Sequence, residues 1–112
     1  MEKILHVQAG DWATLQASEK PVLVDFWAEW CAPCRILAPT FAKLAETFGD
    51  QIQFAKVNVD ELPELANHFG VRSIPTLVLL RDGSVVEQVV GARPYHELVR
   101  LLERHIAAPV RK

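Results

Sequence analysis

The chain has 112 residues, half of them hydrophobic, with 12 Lys and Arg against 14 Asp and Glu and a formal net charge of −2. That is the size of one domain able to bury a core of its own. Two cysteines are too few for a disulfide-built scaffold and supply half the ligands of a zinc-built one, and the near-neutral, interspersed charge leaves no footprint for phosphate backbones, which excludes nucleic acid as a partner class.

Met1 to Val7 lacks the apolar stretch and small-residue cleavage site of a signal peptide, so the sequence reads as intracellular, with a cytoplasmic location expected. The longest apolar runs, Val22-Leu23-Val24 and Leu77-Val78-Leu79-Leu80, fall far short of the ~20 residues of a membrane span, and no membrane partner is expected. Lys3 to Val7 has β character, and Asp11 is placed to cap a brief helix that turns Trp12 and Leu15 inward. Pro21 opens Val22-Leu23-Val24-Asp25-Phe26-Trp27, a nearly continuous apolar run of the kind a strand covered on both faces carries. Leu37, Phe41, Leu44 and Phe48 then recur at helical spacing, with Gly49 expected as the left-handed residue after the last turn and Pro39 expected to kink the helix.

Ile52 to Val59 returns to β character. Asp60 is expected to cap a short helix with Pro63 in its first turn, Leu62, Leu65, Ala66 and Phe69 on its apolar face, and Gly70 as its stop. Thr76 to Arg81, Asp82-Gly83 and Ser84 to Val90 read as a hairpin on a two-residue primed turn. Pro94 begins a last helix with Tyr95, Leu98, Leu102 and Ile106 on one face, closed by Pro109. The expected order is βαβαβαββα, a mixed sheet with helices on both faces in a three-layer α/β/α domain over residues 1–108, with a short basic tail over 109–112.

The pair Cys31-Ala32-Pro33-Cys34 carries the chemistry. Cys31 falls between the central strand and the long helix, where unpaired backbone N–H groups and the helix dipole favour a thiolate. It is the candidate attacking sulfur, and Cys34, one turn inside the helix and expected to be less exposed, is the candidate that resolves the mixed disulfide. Two other readings compete. A zinc site needs two further ligands, and His6, His68, His96 and His105 have no ligand spacing. A structural bridge across so small a loop constrains the unfolded chain little. Asp25, six residues before Cys31, is the one charge in an apolar strand. Burial raises a carboxyl pKa and would poise it to take the proton of Cys34; the competing reading is an ion pair with Lys56 on the neighbouring strand.

The segment from Asp25 through Trp27, Trp30, Cys31, Pro33, Cys34 and Arg35, then Pro39, Ile74-Pro75-Thr76, Gly83 and Gly91, resembles the thioredoxin family across essentially the whole chain. The resemblance implies a five-stranded mixed sheet flanked by four helices, and a monomer that reduces protein disulfides. No cofactor is bound in this reading, and electrons come from NADPH through a thioredoxin reductase. It also implies a cis proline at Pro75 set against the cysteines, leaving the Ile74 backbone free to bind an extended substrate segment, where the sequence by itself favours an ordinary trans proline at a strand start. Trp30, Val59, Ile74, Val90 and Gly91 would form an apolar platform for substrate, although Gly91 also reads as a strand-end bend. Lys56 and Pro33 would tune the pKa values of the site. Trp12 and Trp27 read as core residues. Ala32 and Arg35 depart from the commonest family motif, Gly and Lys, which bears on redox potential and partner preference and not on reaction class. An alternative from another class is a thioredoxin-like binding or chaperone-type module whose platform matters more than its thiols.

Overall fold

A computed structural model describes residues 3–106; residues 107 and 108, the expected closing Pro109 and the basic tail lie outside them. Among the described residues the chain forms β1 (Ile4–His6), α1 (Trp12–Gln16), β2 (Val22–Trp27), α2 (Ala32–Phe48), β3 (Gln53–Asn58), α3 (Pro63–His68), β4 (Thr76–Arg81), β5 (Ser84–Val90) and α4 (Tyr95–Glu103). The five strands make one sheet in the order β1-β3-β2-β4-β5. β3 is parallel to both β1 and β2, whereas β4 is antiparallel to β2 and to β5. The apolar run from Val22 therefore does become the central strand.

Alternation along the strands sorts the core into two faces. Val22, Val24 and Phe26 of β2 join Leu15 of α1 and Ala66 of α3 in one cluster. Leu23 of β2 and Phe54 of β3 join Leu37, Phe41 and Leu44 of α2 and Leu98 and Leu102 of α4 in the other. The period of two places Asp25 and Lys56 on this second face, toward α2, and the register pairs them directly. Phe26, Phe41 and Phe54 are fully buried, and truncating any one of them to alanine removes about 3–5 kcal/mol of stability.

Several local expectations are corrected. Asp11 occupies the N-cap of α1, but its carboxylate accepts the N–H of Gln8 (2.8 Å) and caps nothing within the helix. Asp60 does not cap α3 either. That helix begins at Pro63 behind Leu62, and the turn before it is held by Asn58, whose Oδ1 accepts the N–H of Asp60 (2.9 Å). Gly49 is not left-handed, with φ −60°. Its lack of a side chain is required by space, since a Cβ there would come within 2.5 Å of the Ala45 carbonyl oxygen and 2.6 Å of Lys3 Cδ. α2 spans Ala32–Phe48 with Pro39 inside it, as the stripe from Leu37 to Phe48 requires. The hairpin turn is as the sequence requires, with positive φ at both Asp82 and Gly83, and a bulge between Leu79 and Leu80 shifts the β4–β5 register.

Candidate active site

The N-terminus of α2 is built around the two cysteines. Cys31 is the N-cap, with extended backbone, and its Sγ accepts the N–H of Cys34 at 3.2 Å. Pro33, exposed in the first turn, has no N–H of its own, so the Cys34 amide is the donor aimed at the sulfur. An amide at a helix N-terminus pointed at this atom favours negative charge on it. The two sulfurs are joined in a disulfide, with the Cα atoms 5.3 Å apart. Exposure does not separate the two cysteines as the sequence led us to expect, for each is only 4% exposed. Position separates them: Cys31 stands at the helix mouth and Cys34 within the first turn.

Ala28 and both cysteines form a small cluster against which Trp27, Val59 and Ile74 pack. Cys31 Sγ lies 3.6 Å from the Ile74 carbonyl oxygen. The Ile74-Pro75 bond is cis. Among the described residues the Ile74 N–H makes no backbone hydrogen bond, and the Pro75 carbonyl accepts the N–H of Gly91 (2.8 Å), which ties the proline loop to the end of β5. Val90, half-exposed, pairs with Thr76 in the register of β4 and β5. Gly91 has φ +92° and open space where a Cβ would project, so its conformation as a strand-end bend, and not crowding, demands glycine.

Trp30 is 68% exposed beside Cys31, and its indole N–H donates to Asp60 Oδ2 at 2.9 Å. With Val59, Val71, Arg72, Ser73 and Ile74 it lines an open groove next to the disulfide. The structure thus brings Cys31, Cys34, Trp30, Val59, Ile74 and Pro75 together, with Val90 and Gly91 attached through the proline loop. Trp12 and Trp27 are half-buried and packed, as core residues should be.

Asp25 is buried to 1% exposure, and its Oδ1 has no hydrogen-bond partner. Desolvation pushes its pKa from 3.8 up to about 7, against a smaller lowering by the positive charge of Lys56. No ion pair closes between them. The Lys56 ammonium instead sits over the Trp27 ring, 4.8 Å from its centroid. An unpartnered buried carboxyl titrating near neutrality can take or give a proton, which an ion-paired one could not do as readily.

Three residues whose contacts at the site the sequence did not reveal also shape it. Asp60 orients Trp30 across a separation of thirty residues, which no local pattern signals. Thr76, buried, donates its hydroxyl to the Ser73 carbonyl oxygen (2.6 Å) and fixes the turn into Pro75; a polar residue opening an apolar strand was the available cue. Arg35 donates to the Glu29 carbonyl oxygen at 2.5 Å and so braces the loop before Cys31.

The thioredoxin family model matches residues 3–104. The chain belongs to the thioredoxin family. It is 49% identical over 89 residues to thioredoxin 1 of Synechococcus elongatus, spanning 80% of this chain and 83% of that protein. It is 46% identical over 91 residues to a thioredoxin of Bacillus subtilis, spanning 81% and 88%, and 41% identical over 107 residues to one of Haemophilus influenzae, spanning 95% and 100%. With the redox-active pair Cys31–Cys34 at the head of α2, this thioredoxin-family chain is a thiol:disulfide oxidoreductase of the protein-disulfide reductase type. Its redox group is the disulfide itself. Among the described residues no group of His, Cys, Asp and Glu is arranged to hold a metal ion, and no helix is long and apolar enough to cross a membrane.

Proposed function

We propose that Cys31 attacks, Cys34 resolves and Asp25 takes the proton of Cys34 as that thiol attacks the mixed disulfide. The Cys31 thiolate attacks one sulfur of a protein disulfide, forming a mixed disulfide and releasing the first substrate thiolate. Asp25 then accepts the proton of the Cys34 thiol, and the Cys34 thiolate attacks Cys31 Sγ, releasing the second substrate thiolate and closing the Cys31–Cys34 disulfide. Two electrons pass from the dithiol to the substrate. The observation that carries this reading is the Cys34 amide held on Cys31 Sγ at 3.2 Å, which makes Cys31 the sulfur better able to bear charge. Asp25 is supported by its position on the sheet face that packs α2 and by a pKa near 7.

Substrate docks as an added strand on the free Ile74 N–H beside Pro75, with Trp30, Val59, Val90 and Gly91 around it. Lys56 and Pro33 tune the site, one by its charge toward Asp25 and the other by leaving the Cys34 amide as the donor. The electron donor is a thioredoxin reductase fed by NADPH, and the chain works as a cytoplasmic monomer in one domain over residues 1–108. Its two cysteines suit a reducing compartment, where such a pair opens and closes in turnover.

Insulin reduction tests the proposal, driven by dithiothreitol and, separately, by NADPH with a thioredoxin reductase, for the wild type and Cys31→Ser. Wild type is expected to work with both donors and Cys31→Ser with neither. Activity surviving in Cys31→Ser would sink the assignment of the attacking sulfur, and failure with the reductase alone would displace only the electron donor.

A further inference from the structure

Ile36 is 70% exposed, more than Trp30 at 68%. A lone exposed isoleucine is ordinary, but this one is not isolated. On α2 it lies four residues after Ala32 and three after Pro33, so all three fall on one helix face, and all three are exposed. Pro39, three residues further, continues the strip and is exposed as well. No charged residue interrupts it. The adjacent cation, Arg35, is occupied on the Glu29 carbonyl oxygen. The groove beside the disulfide, lined by Trp30, Val59 and Ile74, takes none of its lining from α2, so Ile36 lies outside it.

Geometry decides whether a substrate can avoid it. Cys31 is only 4% exposed, so a protein disulfide reaches Sγ only if the target surface closes down around the helix start. A weak redox encounter covers up to about 600 Å² per partner, at that limit a patch of roughly 14 Å radius. Five residues of helix put Ile36 about 7.5 Å from Cys31 along the axis, well inside that patch.

We propose that Ile36, on the exposed face of α2 that begins at Ala32 and Pro33, is a specificity-determining contact for the disulfide-bearing protein substrate, selecting targets that carry an apolar side chain beside the disulfide. The inference rests on disulfide exchange at Cys31, because continuity with that reacting centre is what brings the substrate onto the strip. A target with a charged side chain there would lose its hydration against an uncharged surface and gain no partner.

The test uses the pre-reduced protein as wild type, Ile36→Ser and Ile36→Leu, with second-order rate constants for insulin and for hydroxyethyl disulfide, a disulfide too small to reach the strip. Ile36→Ser is expected to lower the insulin rate constant about tenfold, with hydroxyethyl disulfide reduced at the wild-type rate and Ile36→Leu close to wild type on both. An unchanged insulin rate, or an equal fall on both disulfides, overturns the proposal. So does a defect confined to recycling by thioredoxin reductase, which would give Ile36 to the electron donor. A wild-type chain inert toward both disulfides would remove disulfide exchange itself, and the Ile36 contact with it.

Discussion

Two strand carboxylates, one inside the sheet and one at its edge, are driven in opposite directions by their surroundings. Asp25 in β2 is 1% exposed, its Oδ1 has no hydrogen-bond partner, and its pKa is pushed up to about 7. Glu87 in β5 keeps about a quarter of its side chain exposed and accepts from His105 Nε2 at 2.6 Å and Arg104 Nη2 at 3.4 Å, across from the end of α4. There the hydrogen bond to His105 leads in lowering the pKa below its ordinary 4.5, with Arg104 assisting. Both have basic neighbours within reach. What separates them is that Lys56 gives Asp25 only a through-space attraction, which desolvation outweighs, whereas Glu87 has direct donors and retains water. The interior carboxyl keeps its proton up to near-neutral pH, and the edge carboxylate ties β5 to the end of α4.

The largest expected effect separates the two most sharply. The folded chain keeps the Asp25 proton over a range where the unfolded chain, at its ordinary 3.8, has lost it. Asp25 therefore costs nothing below about pH 4, and stability falls as pH rises from about 4 to about 7, above which it is level. Asp25→Asn is expected to stabilise the protein by about 4 kcal/mol above pH 8 and by almost nothing at pH 4, read from urea unfolding across pH. The same variant is expected to slow resolution of the mixed disulfide roughly 100-fold at neutral pH. Equal stability of the two proteins at pH 8 would break the comparison.

A smaller effect sharpens it. Lys56→Met removes the attraction that lowers the Asp25 pKa, which is expected to climb by up to about one unit from its value near 7, measured by NMR titration of the carboxyl carbon. The smallest belongs to the edge. Glu87→Gln is expected to cost only about 0.5 kcal/mol, as partly exposed ion pairs do. Because the Glu87 pKa is lowered, that contribution is present above 4.5 and disappears as pH falls through the folded value, so the opposite slope to Asp25 should appear in acid.

The strands, the long helix and the cysteine pair were legible in the sequence because each is written locally. The β2 run, the 3.6-residue stripe from Leu37 to Phe48, and Asp82-Gly83 state their structures within a few residues. The helix starts were less legible, because Asp11 and Asp60 are good caps in isolation and both were drawn elsewhere, one to Gln8 and the other to Trp30. Gly49 is needed for a reason no periodicity reveals, the close approach of the Ala45 carbonyl oxygen and of Lys3, just before β1. At the site, Asp25 was visible as a charge in an apolar run, but whether Lys56 would neutralise it depended on that ammonium settling over Trp27. Ile36 gave no signal at all, since an apolar residue beside Leu37 reads as core until the helix face is known.

The division of labour between the sulfurs is the claim on which the rest depends, and trapping tests it most directly. Pre-reduced Cys34→Ser and Cys31→Ser are mixed with insulin, and the products are resolved by non-reducing mass spectrometry with peptide mapping. Cys34→Ser is expected to accumulate a mixed disulfide mapped to Cys31, because the second attack is gone, while Cys31→Ser forms none. A mixed disulfide mapped to Cys34 in the Cys31→Ser protein, formed as fast as the first, would contradict the account.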